Sequence, residues 1–242
     1  MKILSLDSSA RTATAAVCED GAVVGDINLN TGMTHSQTLL PMIHTLLDST
    51  SLSVGDIDLF AVANGPGSFT GLRIGISTVK GLTFANGKPC IGVSTLMGLA
   101  YNLKGIKGTV CPCMDARCKQ VYTALFSSDG NTVSRIDEDM AISVEERTAR
   151  LTRTAGDIYL VGDGAKLVYE EAKGRIEHLY LAPEHLLYSH ASAVALAALD
   201  VLQYNPPISS DELRPAYLRL PQAQRELKKK LANKPIDESK ER

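Results

Sequence analysis

NGPGSFTGLRIGISTVKGLTFANG, running from Asn64 to Gly87, is the stretch on which the reading of this chain turns. It follows an apolar run from Ile57 to Ala63 that reads as a buried strand, and its own Leu72, Ile76, Val79 and Leu82 recur at helical spacing. The order is therefore strand, Gly-rich loop, helix. Gly65, Gly67 and Gly71 can take positive φ or admit a close backbone, Pro66 stiffens the turn, and Ser68 or Thr70 can cap the helix. Such a loop is a candidate anion site, because backbone donors and the positive end of the helix dipole meet there; a tight turn made only for packing reads equally well.

Two loop chemistries can be tested at once. A Walker loop requires a Lys after its last Gly, but Gly71 is followed by Leu72 and the first Lys is Lys80, which excludes a P-loop. A dinucleotide G-x-G-x-x-G starting at Gly65 and Gly67 would place its third Gly at Thr70, so that fingerprint is broken. The helix says more. Gly71, Gly75 and Thr78 form a stripe with almost no side chain, which lets a second helix approach closely, while the Leu72, Ile76, Val79 side faces a sheet. The second neighbour is either within the chain or in a partner.

The 242 residues, 44% of them apolar, can form one large domain or two small lobes. Lys and Arg number 25 against 27 Asp and Glu, so no global basic field draws nucleic acid. No run approaches the roughly 18 apolar residues of a membrane span, and Met1-Lys2-Ile3 leads straight into a strand; the expectation is a cytoplasmic protein. Cys111, Cys113 and Cys118 lack the C-x-x-C spacing of zinc sites and have no nearby His, and read as reduced core thiols.

The first thirty residues form a meander of three strands, Ile3 to Asp7, Thr12 to Cys18 and Ala22 to Asn28. Asp7 with Ser8 and Ser9 matches the opening of actin-like and sugar-kinase-like folds, where an Asp and a small turn face nucleotide phosphates, but the usual Gly is missing; Asp7 either works there or hydrogen-bonds its own turn. Thr34 and Gln37 have capping-box spacing before Leu39, Leu40, Ile43, Leu46 and Leu47, and Pro41 should kink that helix or mark its first turn. After the central element come a strand at Cys90 to Val93 and a helix capped by Ser94-Thr95. A second unit then begins near Thr109, with hairpins to Ile136, a helix from Glu145 to Thr154, a strand from Asp157 to Val161 and a Gly162-Asp163-Gly164 turn. An Ala-rich helix from His190 to Tyr204 packs this second lobe. Hairpins followed by helix and strand thus occur twice, which predicts a duplicated two-lobed α/β architecture.

Taken together, Ile3 to Ser9, His35 to Pro41, Gly65 to Gly75, Gly92 to Leu96, Asp115-Ala116-Arg117 and Pro215-Ala216-Tyr217-Leu218-Arg219 resemble the bacterial TsaB (YeaZ) family, in order and over nearly the whole chain. The resemblance implies an actin-like (ASKHA, ribonuclease H-like) two-lobed duplicated fold. It divides the chain into a first lobe at 1–105, a smaller second lobe at 106–220 and a charged tail at 221–242. It also implies a non-catalytic accessory role in placing threonylcarbamoyl on N6 of adenosine 37 in tRNAs reading ANN codons. In that role the chain pairs with the catalytic paralogue TsaD, joined by the ATPase TsaE, touches tRNA only through the complex, and pairs with itself when alone. The catalytic relatives carry a metal-binding H-x-x-x-H where this chain has Thr95-Leu96-Met97-Gly98-Leu99, so no intrinsic cofactor is expected: ATP and metal belong to the partners. The family's helical bundle contact implies a partner face at His35, Thr38, Met42, Gly71, Gly75 and Thr78, with Asp7, Gly65, Gly67 and Ser68 as the anion or nucleotide candidates. Competing readings are a free-standing actin-like ATP-using enzyme, discriminated by ATP turnover of the isolated chain, and a metallopeptidase, whose ligands are missing.

Overall fold

The computed structural model describes residues 1–219, and the expected charged tail at 221–242 lies outside the described residues. The first sheet comprises β1 (Lys2–Asp7), β2 (Ala13–Glu19), β3 (Ala22–Leu29), β4 (Leu59–Gly65) and β5 (Cys90–Ser94), in the order β3-β2-β1-β4-β5. The meander is antiparallel, whereas β4 and β5 run parallel to β1. Helices α1 (His35–Ser49) and α2 (Phe69–Thr83) supply the crossovers, and α3 (Thr95–Tyr101) follows β5.

The second half repeats this plan. Its strands are β6 (Lys107–Asp115), β7 (Gln120–Thr123), β8 (Phe126–Asp129), β9 (Val133–Arg135), β10 (Met140–Ser143), β11 (Ile158–Val161) and β12 (Leu179–Leu181), and its helices α4 (Val144–Leu151), α5 (Ala165–Ala172) and α6 (Ala191–Val201). The order β10-β7-β6-β11-β12 copies the first sheet strand for strand, including the switch from antiparallel to parallel at the central strand; the β8–β9 hairpin is an addition on β6. Two α/β units with the same strand order and the same helix after each corresponding strand constitute the actin-like duplicated fold.

Period-two alternation in β1 and β4 splits the core. Leu4, Leu6, Phe60 and Val62 face α1 and α2 through Leu39, Ile43, Ile76 and Val79. Ile3, Leu59, Ala61 and Ala63 face the opposite way, into a cluster that includes α3, α6 and the second sheet. Each fully buried Leu, Ile, Val or Phe among them contributes about 1.5–3 kcal/mol of apolar transfer free energy.

Four expectations need correction. Helix α6, expected to pack the second lobe, lies against β1, β2 and α3. Its first turn is tied there by Ser5 Oγ donating to the Ala191 carbonyl (2.7 Å) and the Ala191 N–H donating to Thr14 Oγ1 (2.9 Å). The chain then stays with the first sheet: Ile208 exchanges backbone hydrogen bonds with Cys90, and the Ala216 N–H donates to the Asn64 carbonyl. The stretch from 191 to 216 therefore belongs structurally with residues 1–105 rather than with the second lobe. Pro41 does not mark the first turn of α1 but sits inside the helix, where both it and Gln37, whose carbonyl loses an N–H partner, are on the exposed side within reach of water. The Thr34 side chain makes no cap; its carbonyl accepts from the Gln37 N–H instead. Finally, Cys111 and Cys113 are core thiols with sulfurs 3.6 Å apart, but Cys118 is exposed at the β6–β7 turn.

Candidate functional site

Residues between the lobes are positioned by the turn after β1. Asp7 ends that strand, and its Oδ1 accepts from the Ser9 N–H at 2.7 Å, bending the chain back under the start of α2. The glycines of the central loop serve this approach. A Cβ on Gly71 would lie 2.0 Å from the Ser8 carbonyl oxygen, one on Gly75 2.7 Å from Ser8 Oγ, and one on Gly67 2.5 Å from the Ser9 carbonyl. Gly65, at φ +138°, would meet the Ala216 carbonyl at 2.2 Å. The second neighbour of the small-residue stripe is thus the chain's own β1 turn.

Two of the loop's donors are engaged within the chain. The Ser68 N–H donates to the Ser9 carbonyl at 2.6 Å, and the Gly71 N–H to Ser68 Oγ at 3.3 Å, which is the helix cap expected from the sequence. The Gly162-Asp163-Gly164 turn behaves alike: Gly162 donates to the Leu187 carbonyl and Gly164 to the Cys113 carbonyl.

Between these turns lies an interlobe cleft of about 660 Å³, walled by Ser9, Arg11, Ser68, Asp115, Arg117 and Asp163 among others. Asp7 is buried, and burial pushes its carboxyl pKa above the ordinary range, with the Ser9 hydrogen bonds opposing; its Oδ2 and Ser9 Oγ have no partner among the described residues. Burial likewise raises Asp163, which accepts from the Asp115 N–H at 3.0 Å. Arg117 turns its guanidinium toward Asp115 (3.7 Å), the structural alternative for that residue. Among the described residues no three His, Cys, Asp or Glu side chains gather as metal ligands.

A strap closes one side of this cleft, and sequence reasoning missed it. Phe69 stacks on Tyr217 with centroids 4.4 Å apart, Arg73 lies 3.9 Å over the Phe69 ring, and Arg73 Nε donates to the Tyr217 hydroxyl at 3.1 Å. Arg219 then reaches the second lobe, donating to the Ala116 carbonyl at 2.9 Å. The spacing of Phe69 and Arg73, one turn apart on α2, was the available signal.

A second surface is the outer side of the α1–α2 pair. His35 turns inward, its Nε2 2.8 Å from the Ala10 carbonyl, and Thr38, Met42 and Thr78 are covered within the chain. Outward stand Leu40, 54% exposed, Pro41 and, at the end of α2, Phe84, 87% exposed. Gly81 is exposed on the same helix, and a Cβ there would meet nothing within 4 Å. Of the expected partner residues, the structure therefore turns Gly71 and Gly75 toward Ser8 and buries Thr38, Met42 and Thr78.

The chain can now be compared with known proteins. The family model described as "TsaD: tRNA N6-adenosine threonylcarbamoyltransferase" matches residues 30–226. The tRNA threonylcarbamoyladenosine biosynthesis protein TsaB of Escherichia coli is 31% identical over 222 residues, covering 90% of this chain and 95% of that protein. A tRNA N6-adenosine threonylcarbamoyltransferase of Sorangium cellulosum is 29% identical, over 66% of this chain but only 50% of its own length. The solved structure "YeaZ from Pseudomonas aeruginosa" superimposes with a TM-score of 0.75 at 26% identity, covering 90% of this chain and 99% of that one. Similarity thus covers 95% of that TsaB protein but half the length of that transferase, and the chain belongs to the TsaB (YeaZ) family, associated with threonylcarbamoyladenosine biosynthesis on tRNA.

Proposed function

We propose that this protein is a non-catalytic accessory subunit of the complex that transfers threonylcarbamoyl to N6 of adenosine 37 in tRNAs reading ANN codons. In this reading it docks on the catalytic paralogue TsaD through the outer side of α1 and α2, together with the ATPase TsaE, and meets tRNA through the complex. The observation that carries the docking is the exposure of Leu40 and Pro41 on α1 and of Phe84 at the end of α2, with Gly81 leaving room for a close neighbour. His35, Thr38, Met42 and Thr78 support this surface from beneath.

The non-catalytic assignment draws support from α3. Thr95 and Leu99, at the positions where the catalytic relatives carry paired histidines, are each 1% exposed and build the core. Of Asp7, Gly65, Gly67 and Ser68, read as a nucleotide site, Asp7 Oδ1 and the Ser68 N–H are committed to Ser9, and Ser68 Oγ to the α2 cap. ATP and metal are accordingly assigned to the partners.

The test is threonylcarbamoyl transfer by TsaD and TsaE with pre-formed threonylcarbamoyl-adenylate, with and without this chain. Product only when TsaD and this chain are both present is expected. Product or ATP turnover from this chain alone would move the chemistry back to the interlobe cleft.

A further inference from the structure

On the exposed side of α2, away from the interlobe cleft, lies an open concavity of about 490 Å³ between the helix and the returning segment that carries Asp211 and Arg214. Arg73, Ser77 and Lys80 follow one another along its helix wall at a spacing that keeps them on one face. It shares no lining residue with the cleft.

Among the described residues no carboxylate lies within 4 Å of the charged groups of Arg73, Lys80 or Arg214, although Asp211 lines the same concavity. Two of them are nevertheless oriented. Arg73 is fixed by Phe69 beneath its plane and by the Tyr217 hydroxyl at Nε, which leaves its terminal Nη fork uncommitted among the described residues. Arg214 is held through Nη1 by the carbonyls of Asp211 and Leu213. Three cations and one carboxylate leave two positive charges uncompensated around one concavity, in a chain whose net charge is −2.

We propose that this concavity binds a dianionic phosphate group, as a phosphate monoester or pyrophosphate. Guanidinium forks match phosphate oxygens two at a time, Lys80 adds a point charge, and the Ser77 hydroxyl supplies a neutral donor. A carboxylate ligand would balance only one of the two surplus charges. The site adjoins the proposed docking side of α2 and does not depend on it.

The experiment is isothermal titration calorimetry of the full chain, without partners, against pyrophosphate and inorganic phosphate. Saturable binding is expected, weakened at least fivefold by Lys80→Gln and by Arg214→Gln, and unchanged by Arg117→Gln at the cleft mouth. Lys80 contributes no buried ion pair, so its variant should keep the native melting curve and separate loss of binding from loss of fold. A short single-stranded RNA with a 5′-phosphate should compete, and the same RNA without it should not. Absence of saturable binding, loss of binding in Arg117→Gln instead of Lys80→Gln, RNA competition indifferent to the 5′-phosphate, or binding of polyglutamate in place of phosphate would each overturn the proposal.

Discussion

A methyl group on Gly71 would have to sit 2.0 Å from the Ser8 carbonyl oxygen, so the β1 turn and the start of α2 could not keep their present separation. Gly71→Ala should therefore destabilise the fold by about 1–3 kcal/mol or more, read as a lower urea midpoint with an unchanged slope. An unaltered midpoint would show that the turn yields freely. Histidine 190 offers a residue-scale test of a different kind. Asp26, whose Oδ2 lies 3.6 Å from His190 Nδ1, raises the His190 pKa above its ordinary value. Asp26 is pushed up by burial but pulled further down by His190 and Ser192, so its pKa is lowered. The raised His contributes stability fully below roughly pH 6.5, and this is lost as pH climbs through its folded pKa; the lowered Asp contributes above roughly pH 3.9. The pair is thus most stabilising between about pH 4 and 6.5. Being partly exposed, it is worth about 0.5–1 kcal/mol, so His190→Ala should lower the urea midpoint at pH 5.5 and change it little at pH 8.5; an equal loss at both would remove the ion pair from the account.

At the scale of the element, α2 has two sides with different duties. Gly75→Leu would drive a side chain into Ser8, Leu6 and Val62 and is expected to unfold the protein, which makes it uninformative about partners. Gly81→Trp projects into open space, so it should leave the melting temperature within a few degrees while weakening co-purification with TsaD about tenfold or more; Leu40→Glu should do likewise. Retained pairing with both variants would exclude this surface. The sequence made much of this element legible: the strand before α2, its Ser68 cap and its apolar face all follow from period and turn chemistry. Which glycine faces inward does not, because it depends on the Ser8 turn, some sixty residues earlier in the chain. The repeat was also legible, yet β8, β10, β12 and α5 were missed. β12 has only three residues, too few to show alternation, and β10 is half-exposed throughout, so no polar and apolar contrast marks it. Helix α6 was recognised, but a face of Ala residues and one Val fits either sheet equally well and its destination was set by Ser5 and Thr14.

In the whole molecule, α3 packs on β6 of the second sheet and α6 on β1 and β2 of the first, with Gly98 of α3 set against Val194 of α6. One apolar cluster consequently spans both sheets. The lobes should unfold together: hydrogen exchange of β1 and β6 should report the same opening free energy, and Gly98→Leu, which forces the two helices apart, should lower both by about 1–3 kcal/mol. Separate transitions for the two lobes would contradict the shared layer. The exchanged helices also bear on how the protein is made. A ribosome delivers residues 1–105 first, but the helix that covers the inner side of that sheet is encoded from Ala191 onward. The nascent first lobe must emerge with Ile3, Ala61 and Ala63 uncovered and wait through the synthesis of the whole second lobe before its own core can close.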